Sequence, residues 1–264
     1  MSQRGATAVF FMLAFAFTWA LQLPGLFARW GWLPGDPAAY LPFAMLGIFG
    51  PLVAASILTF KESGRGGLKA LFAGLLQWRV SLKWYALALF APGILLSAIL
   101  YLLRAAGREG DWLFLPSAAQ LVTSIVIVFA EEVGWRGYAL PRLITKYGAF
   151  LASSLLGVAW AIWHIPMFLA VGVPMSLAPV MLLFFVGGSF FFTWLYRGSG
   201  GSLLIALLAH LGAHLNNSHR ALPGDVLPLV VHAMVYAAIG FAAMRSSAFE
   251  TVRDVKAKAP LRAV

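Results

Sequence analysis

The feature that most constrains this chain is a series of apolar stretches about as long as a lipid bilayer is thick. One of them reads LVTSIVIVFA, residues 121–130, without a single charge. A helix rises about 1.5 Å per residue, so roughly 20 apolar residues cross the hydrocarbon core of a membrane. Only 11% of the residues are charged, whereas soluble domains carry about 25%. The sequence therefore predicts an all-α, polytopic membrane protein.

About eight transmembrane helices are predicted, enclosing an intramembrane polar cavity. The predicted spans are 7–28, 39–60, 82–104, 116–138, 150–171, 176–196, 201–217 and 226–244. The stretch LKALFAGLLQWRV, residues 68–80, is too short and too basic to cross, and is predicted to be an interfacial helix. The whole chain, 1–264, is predicted to be one membrane domain. Its parts are scaffold helices (1–115), motif-bearing helices (116–218), a last span (226–244) and a basic cytoplasmic tail (245–264).

The basic residues are unevenly distributed between the predicted loops. With eight spans, fifteen of the 19 lysines and arginines fall on the side that also holds both termini. This asymmetry is the positive-inside pattern of membrane proteins, so both termini are predicted to be cytoplasmic. The net charge of +10 then indicates anionic lipid, rather than nucleic acid, as a partner of that face. We expect a multi-pass protein of a bacterial plasma membrane.

The stretch FAEEVGWRGY, residues 129–138, places two adjacent acids at the end of an uncharged run. On a helix, Glu132 and Arg136 are four residues apart and lie on one face, where they can pair. Glu131 points about 100° away and has no such partner, which leaves its carboxylate available as a general base. The alternative is a pair of boundary acids that reach out of the membrane toward water.

Two further stretches bring histidines into apolar spans. His164 lies in WAIWHIPMF, residues 160–168, where Pro166 is predicted to kink the helix. In LLAHLGAHLNNS, residues 207–218, His210, His214 and Asn217 form one polar stripe. Such residues can simply hold helices together.

Ionisable groups inside a membrane usually face one another or a wet cavity, so three such helices predict one shared site. The predicted span ends oppose this grouping in one respect. They place His164 deeper than Glu131 and His210, by a distance on the order of 10 Å at 1.5 Å per residue.

The three stretches together resemble a known family. EEVGWR fits the pattern EExxxR, Trp160 to His164 fits a variant of FxxxH, and His210 to His214 fits a variant of HxxxN. In this order on eight spans they are similar to the CPBP intramembrane endopeptidases. That family includes the type II CAAX prenyl endopeptidases and bacterial relatives, some of them linked to bacteriocin immunity.

The resemblance implies an intramembrane endopeptidase that hydrolyses a peptide bond of a membrane protein or a lipid-anchored peptide. Glu131 would activate water, assisted by His164, and Glu132 and Arg136 would support the site. His210 would stabilise the oxyanion that forms when water attacks the peptide carbonyl. No cofactor is needed in this mechanism.

The sequence departs from the family pattern at two positions. Trp160 stands where the family has phenylalanine. His214 stands where the family has asparagine, and a neutral imidazole offers only one N–H. His214 or Asn217 is therefore a candidate for oxyanion or substrate contact.

Three alternatives remain open at this level. Glu131, His164 and His210 would also suit a Zn²⁺ ion with an open fourth position, giving a metalloprotease. A binding or immunity protein could use the same cavity without cleaving. A proton-coupled transporter would also need buried acids and histidines, but the chain shows no inverted repeat.

Overall fold

A computed structural model describes residues 3–107, 117–215, 227–243 and 245. Those residues form ten α-helices, numbered here in chain order. They are α1 (Gln3–Arg29), α2 (Leu41–Gly47), α3 (Gly50–Ala73), α4 (Leu82–Ala105), α5 (Ala118–Glu132), α6 (Leu140–Trp163), α7 (Ile165–Ala170), α8 (Ala178–Gly198), α9 (Leu203–Leu215) and α10 (Leu227–Ala243). A π-helical segment, Val133–Ala139, joins α5 to α6 without a break.

The predicted fold class is confirmed. Within the described residues, five helical stretches are long and apolar enough to cross a membrane: Gly5–Arg29, Pro37–Leu76, Leu82–Ala105, Ala118–Ala170 and Met175–Gly198. Two shorter apolar helices, Leu203–Leu215 and Leu229–Gly240, follow them. The chain is therefore an integral membrane protein built from helices.

The long stretch Ala118–Ala170 reverses direction at Gly148. This glycine has φ 79° and ψ 164° inside α6, a conformation open almost only to glycine. The Trp160 indole nitrogen lies 2.7 Å from a Glu131 carboxylate oxygen, although a straight helix would separate these residues by about 43 Å. The chain therefore runs in one direction through α5, the π-helical segment and the first part of α6. It reverses at Gly148, and the rest of α6 runs antiparallel to this first arm.

The reversal at Gly148 removes the difference in depth that the predicted spans implied. The fourth predicted span ended at residue 138, whereas the helix continues to the turn at Gly148. Glu131 lies seventeen residues before this turn and His164 sixteen residues after it. Measured along the two helical arms, the two side chains are therefore at nearly the same level.

Helix α3 contains a second break, at Gly64, where φ is 58° and ψ is −152°. The part after Gly64 packs against the π-helical segment and α5, since Phe72 stacks on Phe129 with ring centroids 6.4 Å apart. Helix continues to Ala73 and a 3₁₀ turn to Leu76, whereas residues 77–81 are not helical. The predicted interfacial helix 68–80 thus begins earlier and ends earlier than the sequence indicated.

Local sequence signals explain where the helices of the site begin and end. Ser117 and Gln120 form a capping box at the start of α5, each side chain bonding the other residue's backbone N–H. His164 separates α6 from α7, and Pro166 stands in the first turn of α7, where a missing N–H costs no helical hydrogen bond. The helix is therefore interrupted at His164, two residues before Pro166, although His164 keeps helical dihedral angles (φ −81°, ψ −13°).

Candidate functional site

Glu131 lies in the last turn of α5 and is only 2% exposed. Its Oε2 accepts a hydrogen bond of 2.7 Å from the indole Nε1 of Trp160, on the returning arm of α6. The sequence had predicted that Glu131 lacks an ion-pair partner. Its contact with Trp160 is a neutral hydrogen bond, which orients the carboxylate without adding a positive charge.

Glu132, the neighbouring acid, has two partners of its own. Its Oε1 lies 2.6 Å from Nη1 of Arg136, as the spacing of four residues predicted, and both side chains are fully buried. The same oxygen lies 2.8 Å from Nδ1 of His210 on α9. The two adjacent carboxylates therefore belong to different sets of contacts, and Glu132 connects α5 to α9.

The Arg136 guanidinium lies between aromatic rings. Its Cζ is 4.5 Å from the ring centroid of Trp160 and 5.0 Å from that of Phe192, within the range of cation–π attraction. Its Nε and Nη2, together with Glu132 Oε2, are buried without a hydrogen-bond partner in the described part of the chain. Arg136 is thus part of the site and does not contribute to the charge of a cytoplasmic loop, where the sequence count had placed it.

The π-helical segment that holds Arg136 packs closely on its neighbours. A Cβ on Gly134 would lie 2.4 Å from the Cβ of Pro51 and 2.6 Å from its backbone carbonyl. Gly137 faces Leu71 and Leu203, which would lie 3.1 and 3.2 Å from an added Cβ. Because the glycines of EEVGWRG have no side chains, α3 and α9 can approach closely the π-helical segment that directly follows the two acids. π-Helical turns inside helices are frequent at functional sites.

His164 contacts this cluster through Trp160. Its Nδ1 lies 2.8 Å from the backbone oxygen of Trp160, and its ring stacks on Phe185 with centroids 4.4 Å apart. When Nδ1 donates to that oxygen, Nε2 carries the lone pair. His164 is buried and held in one orientation, as an assisting base requires.

His210 and His214 lie one turn apart on α9, with ring centroids 4.8 Å apart. His210 is 4% exposed and its ring meets the Trp160 ring edge-on at 5.1 Å. His214 is half-buried at the end of the described helix. Asn217, the other predicted contact residue on this stripe, lies outside the described residues.

Trp160 is the functional candidate that the sequence reasoning missed. It contacts Glu131, Arg136 and His210 through its side chain, and His164 through its carbonyl. Only one sequence signal was available, namely its place one turn before His164 in the FxxxH variant.

The zinc alternative finds little support in the geometry. Within residues 3–107, 117–215 and 227–243, no three side chains of His, Cys, Asp or Glu are grouped so that they could hold a metal ion. Glu131 Oε2 and His210 Nδ1 are instead engaged with Trp160 and Glu132. The metal-free mechanism and the zinc-dependent one therefore both remain proposals.

The fold and the site together define a polytopic membrane protein with a buried cluster of two acids, an arginine and histidines. A family model described as Type II CAAX prenyl endopeptidase Rce1-like matches residues 112–216. The chain is also 24% identical over 235 residues to CAAX prenyl protease 2 of Methanococcus maripaludis, covering 82% of this chain and 86% of that protein. The resemblance that the three motifs indicated is confirmed, and it supports a CAAX-type intramembrane endopeptidase, a peptide hydrolase.

Proposed function

We propose that this protein hydrolyses a peptide bond of a membrane-associated substrate, with Glu131 as the base that activates water. The observation that carries the proposal is the arrangement around Glu131. Trp160 holds in place a buried carboxylate that has no ion-pair partner among the described residues, beside an ion-paired acid and two buried histidines. General bases work from such fixed positions within hydrogen-bond reach of the proton they accept.

In this mechanism Glu131 takes a proton from a water molecule, and the water oxygen attacks the carbonyl carbon of the scissile peptide. His164, whose Nδ1 contacts the Trp160 carbonyl, presents Nε2 as a second acceptor that orients the same water. The protonated Glu131 then gives its proton to the amine nitrogen as the C–N bond breaks. The products are a new carboxyl terminus and a new amino terminus.

The oxyanion would be stabilised by His210 and Arg136. Nδ1 of His210 lies 2.8 Å from Glu132 Oε1, and the form of His210 that carries a hydrogen on Nε2 would donate it to the reacting carbonyl. Arg136 contributes Nε and Nη2, which have no partner among the described residues, and buried donors of this kind normally bind water or ligand. A single well-placed donor to an oxyanion contributes about 3–4 kcal/mol. His214 and Asn217 remain proposed as further contacts to the oxyanion or the substrate.

The proposed substrates are membrane proteins or lipid-anchored peptides that reach the site from the cytoplasmic side. The related protein is called a CAAX prenyl protease, a name that associates its substrates with a prenyl anchor. A cavity of about 160 Å³ has an apolar lining that includes Ile165, the residue after His164, together with Phe168 and Met181, and this lining suits part of a hydrocarbon chain. We further propose cytoplasmic termini and anionic lipid along the basic face.

The proposed mechanism needs no metal. Purified protein treated with a chelator is expected to keep its activity, and its zinc content is expected to be well below one ion per chain. Loss of activity on chelation, restored by added zinc, would instead favour the metalloprotease.

A non-cleaving binding or immunity protein is the second candidate. The observation that favours it is His214 at the position where the family pattern has asparagine, directly beside His210. An imidazole offers fewer donors than an amide at this position.

The decisive experiment compares the amino termini of the membrane proteome in cells that express wild type, Glu131→Gln or Glu62→Gln at equal levels. Glu62 is the matched control, because it is a carboxylate that bonds Tyr138 and Arg142 outside the site. New termini are expected with wild type and Glu62→Gln, and not with Glu131→Gln. Identical termini in all three, with folded protein in each, would reject proteolysis and favour the binding protein.

A further inference from the structure

Trp160 occupies the phenylalanine position of the FxxxH pattern, and its indole adds a group that phenylalanine lacks. The indole N–H donates to Glu131 Oε2 over 2.7 Å, and both side chains are buried. A phenylalanine would fill most of the same space but would leave this oxygen without its donor. The substitution therefore changes the chemistry around the base as well as the packing.

The other contacts of Trp160 fix the direction of that N–H. The Arg136 guanidinium lies over its ring at 4.5 Å. The rings of Phe185 and His210 meet it edge-on at 4.7 and 5.1 Å. Contacts on several sides leave the indole one orientation, so the hydrogen bond to Glu131 has a fixed geometry.

We propose that Trp160 is a positioning residue for the catalytic base of this chain. By occupying Oε2, the indole N–H sets the rotation of the Glu131 carboxylate and leaves Oε1 to hold the attacking water. The inference rests on the proposed function. In this chain the catalytic base therefore contacts a hydrogen-bond donor at the position where the family pattern has an apolar ring.

The first test replaces Trp160 by phenylalanine, with Trp163→Phe as the matched control. Trp163 is also buried and also donates its indole N–H, but to Thr18 Oγ1 at 2.9 Å. Both variants lose one indole hydrogen bond, so similar losses of thermal stability are expected. Only Trp160→Phe is expected to lose kcat, by about tenfold to a hundredfold, because small displacements of a catalytic group are costly. Its KM should stay within about twofold, since the proposed contact acts on the reacting carboxylate and not on substrate binding.

The dependence of kcat on pH gives a second readout. The hydrogen bond acts on the charged form of the carboxylate, so the acidic limb of the profile is expected to move in Trp160→Phe and to stay in place in Trp163→Phe. An unchanged kcat and profile in Trp160→Phe would overturn the proposal. Equal losses of kcat in both variants would also overturn it, since they would indicate packing alone.

Two further measurements cover the cases in which the phenylalanine variant does not fold or the protein does not cleave. At position 160, a tryptophan analogue with sulfur in place of the N–H keeps the shape and removes only the donor, and it should reproduce the loss of kcat. Independently of activity, the indole N–H resonance of Trp160 in nitrogen-15 NMR spectra is expected to shift in Glu131→Gln, while that of Trp163 does not. An unshifted Trp160 resonance would contradict the contact itself, whereas a shifted resonance in a protein without cleavage activity would reject the proposed function and keep the contact.

Discussion

Arg136 and Arg142 form two ion pairs on one stretch of chain, and they differ mainly in burial. The pair of Arg136 with Glu132 is fully buried, whereas the pair of Arg142 with Glu62 is about one quarter exposed at each side chain. A buried charge that loses its partner is costly, while a partly exposed charge is screened by water. The two arginines therefore allow a matched comparison at the scale of single residues.

Arg136→Met is expected to lower the free energy of unfolding by about 3–5 kcal/mol, because it leaves Glu132 buried without its cation. Arg142→Met should cost about 1 kcal/mol or less, since Glu62 can turn to water. Thermal unfolding in detergent measures both. The double variant Glu132→Gln with Arg136→Met should recover part of the loss. Equal losses for Arg136→Met and Arg142→Met would contradict the view that burial of the pair sets its importance.

The spacing of residues in the sequence was enough to predict the Glu132–Arg136 pair, but it was not enough to predict the contacts of Glu131. A separation of four residues brings two side chains together on any helix, so this pair follows from local geometry. The Glu131–Trp160 bond joins residues 29 apart and exists only because the chain reverses at Gly148. A phenylalanine-to-tryptophan change was therefore visible in the sequence, but the acceptor of its N–H was not.

At the scale of helices, the close approach of the π-helical segment to α3 depends on a residue without a side chain. A Cβ on Gly134 would lie 2.4–2.6 Å from atoms of Pro51, two of them in the backbone. These backbone atoms cannot move away without displacing α3. Small residues at such crossings are typical of helix packing in membranes.

Gly134→Ala is expected to destabilise the protein by about 1–3 kcal/mol through overpacking, and to lower activity because Glu131 and Glu132 directly precede the segment. Gly66→Ala is the control, since an added Cβ there meets no atom within 4 Å, and it should be neutral or slightly stabilising. Thermal unfolding and cleavage rate are measured side by side. A Gly134→Ala protein as stable as wild type would show that α3 and the segment are less tightly packed than the structure indicates.

The predicted fourth span, 116–138, ends ten residues before the turn at Gly148. It contains the charged motif EEVGWR, whose alternative interpretation was a pair of acids at the membrane boundary, because charges inside a membrane are costly. In the structure that motif is buried, and Glu132 pairs with Arg136 and with His210. The helix continues until Gly148. Composition can locate apolar helices, but it cannot show which charges are neutralised by partners from distant parts of the chain.

The arrangement of the whole molecule fixes which ends of the helices share a side. The connection between α1 and α2 contains Leu33, and the break at Gly64, inside α3, is followed by Arg65. The basic residues Lys61, Arg65, Arg142 and Lys146 lie near the breaks at Gly64 and Gly148, which are joined by the Glu62–Arg142 pair. The positive-inside pattern predicts that this end is cytoplasmic.

The absence of cysteine from the sequence makes this orientation directly testable with single cysteines. Leu33→Cys is expected to react with a membrane-impermeant maleimide in intact cells. Arg65→Cys should react only after the membrane is permeabilised. Both positions are exposed in the structure, so a difference in labelling reports the side of the membrane and not burial. The reverse pattern would place the basic end outside the cell.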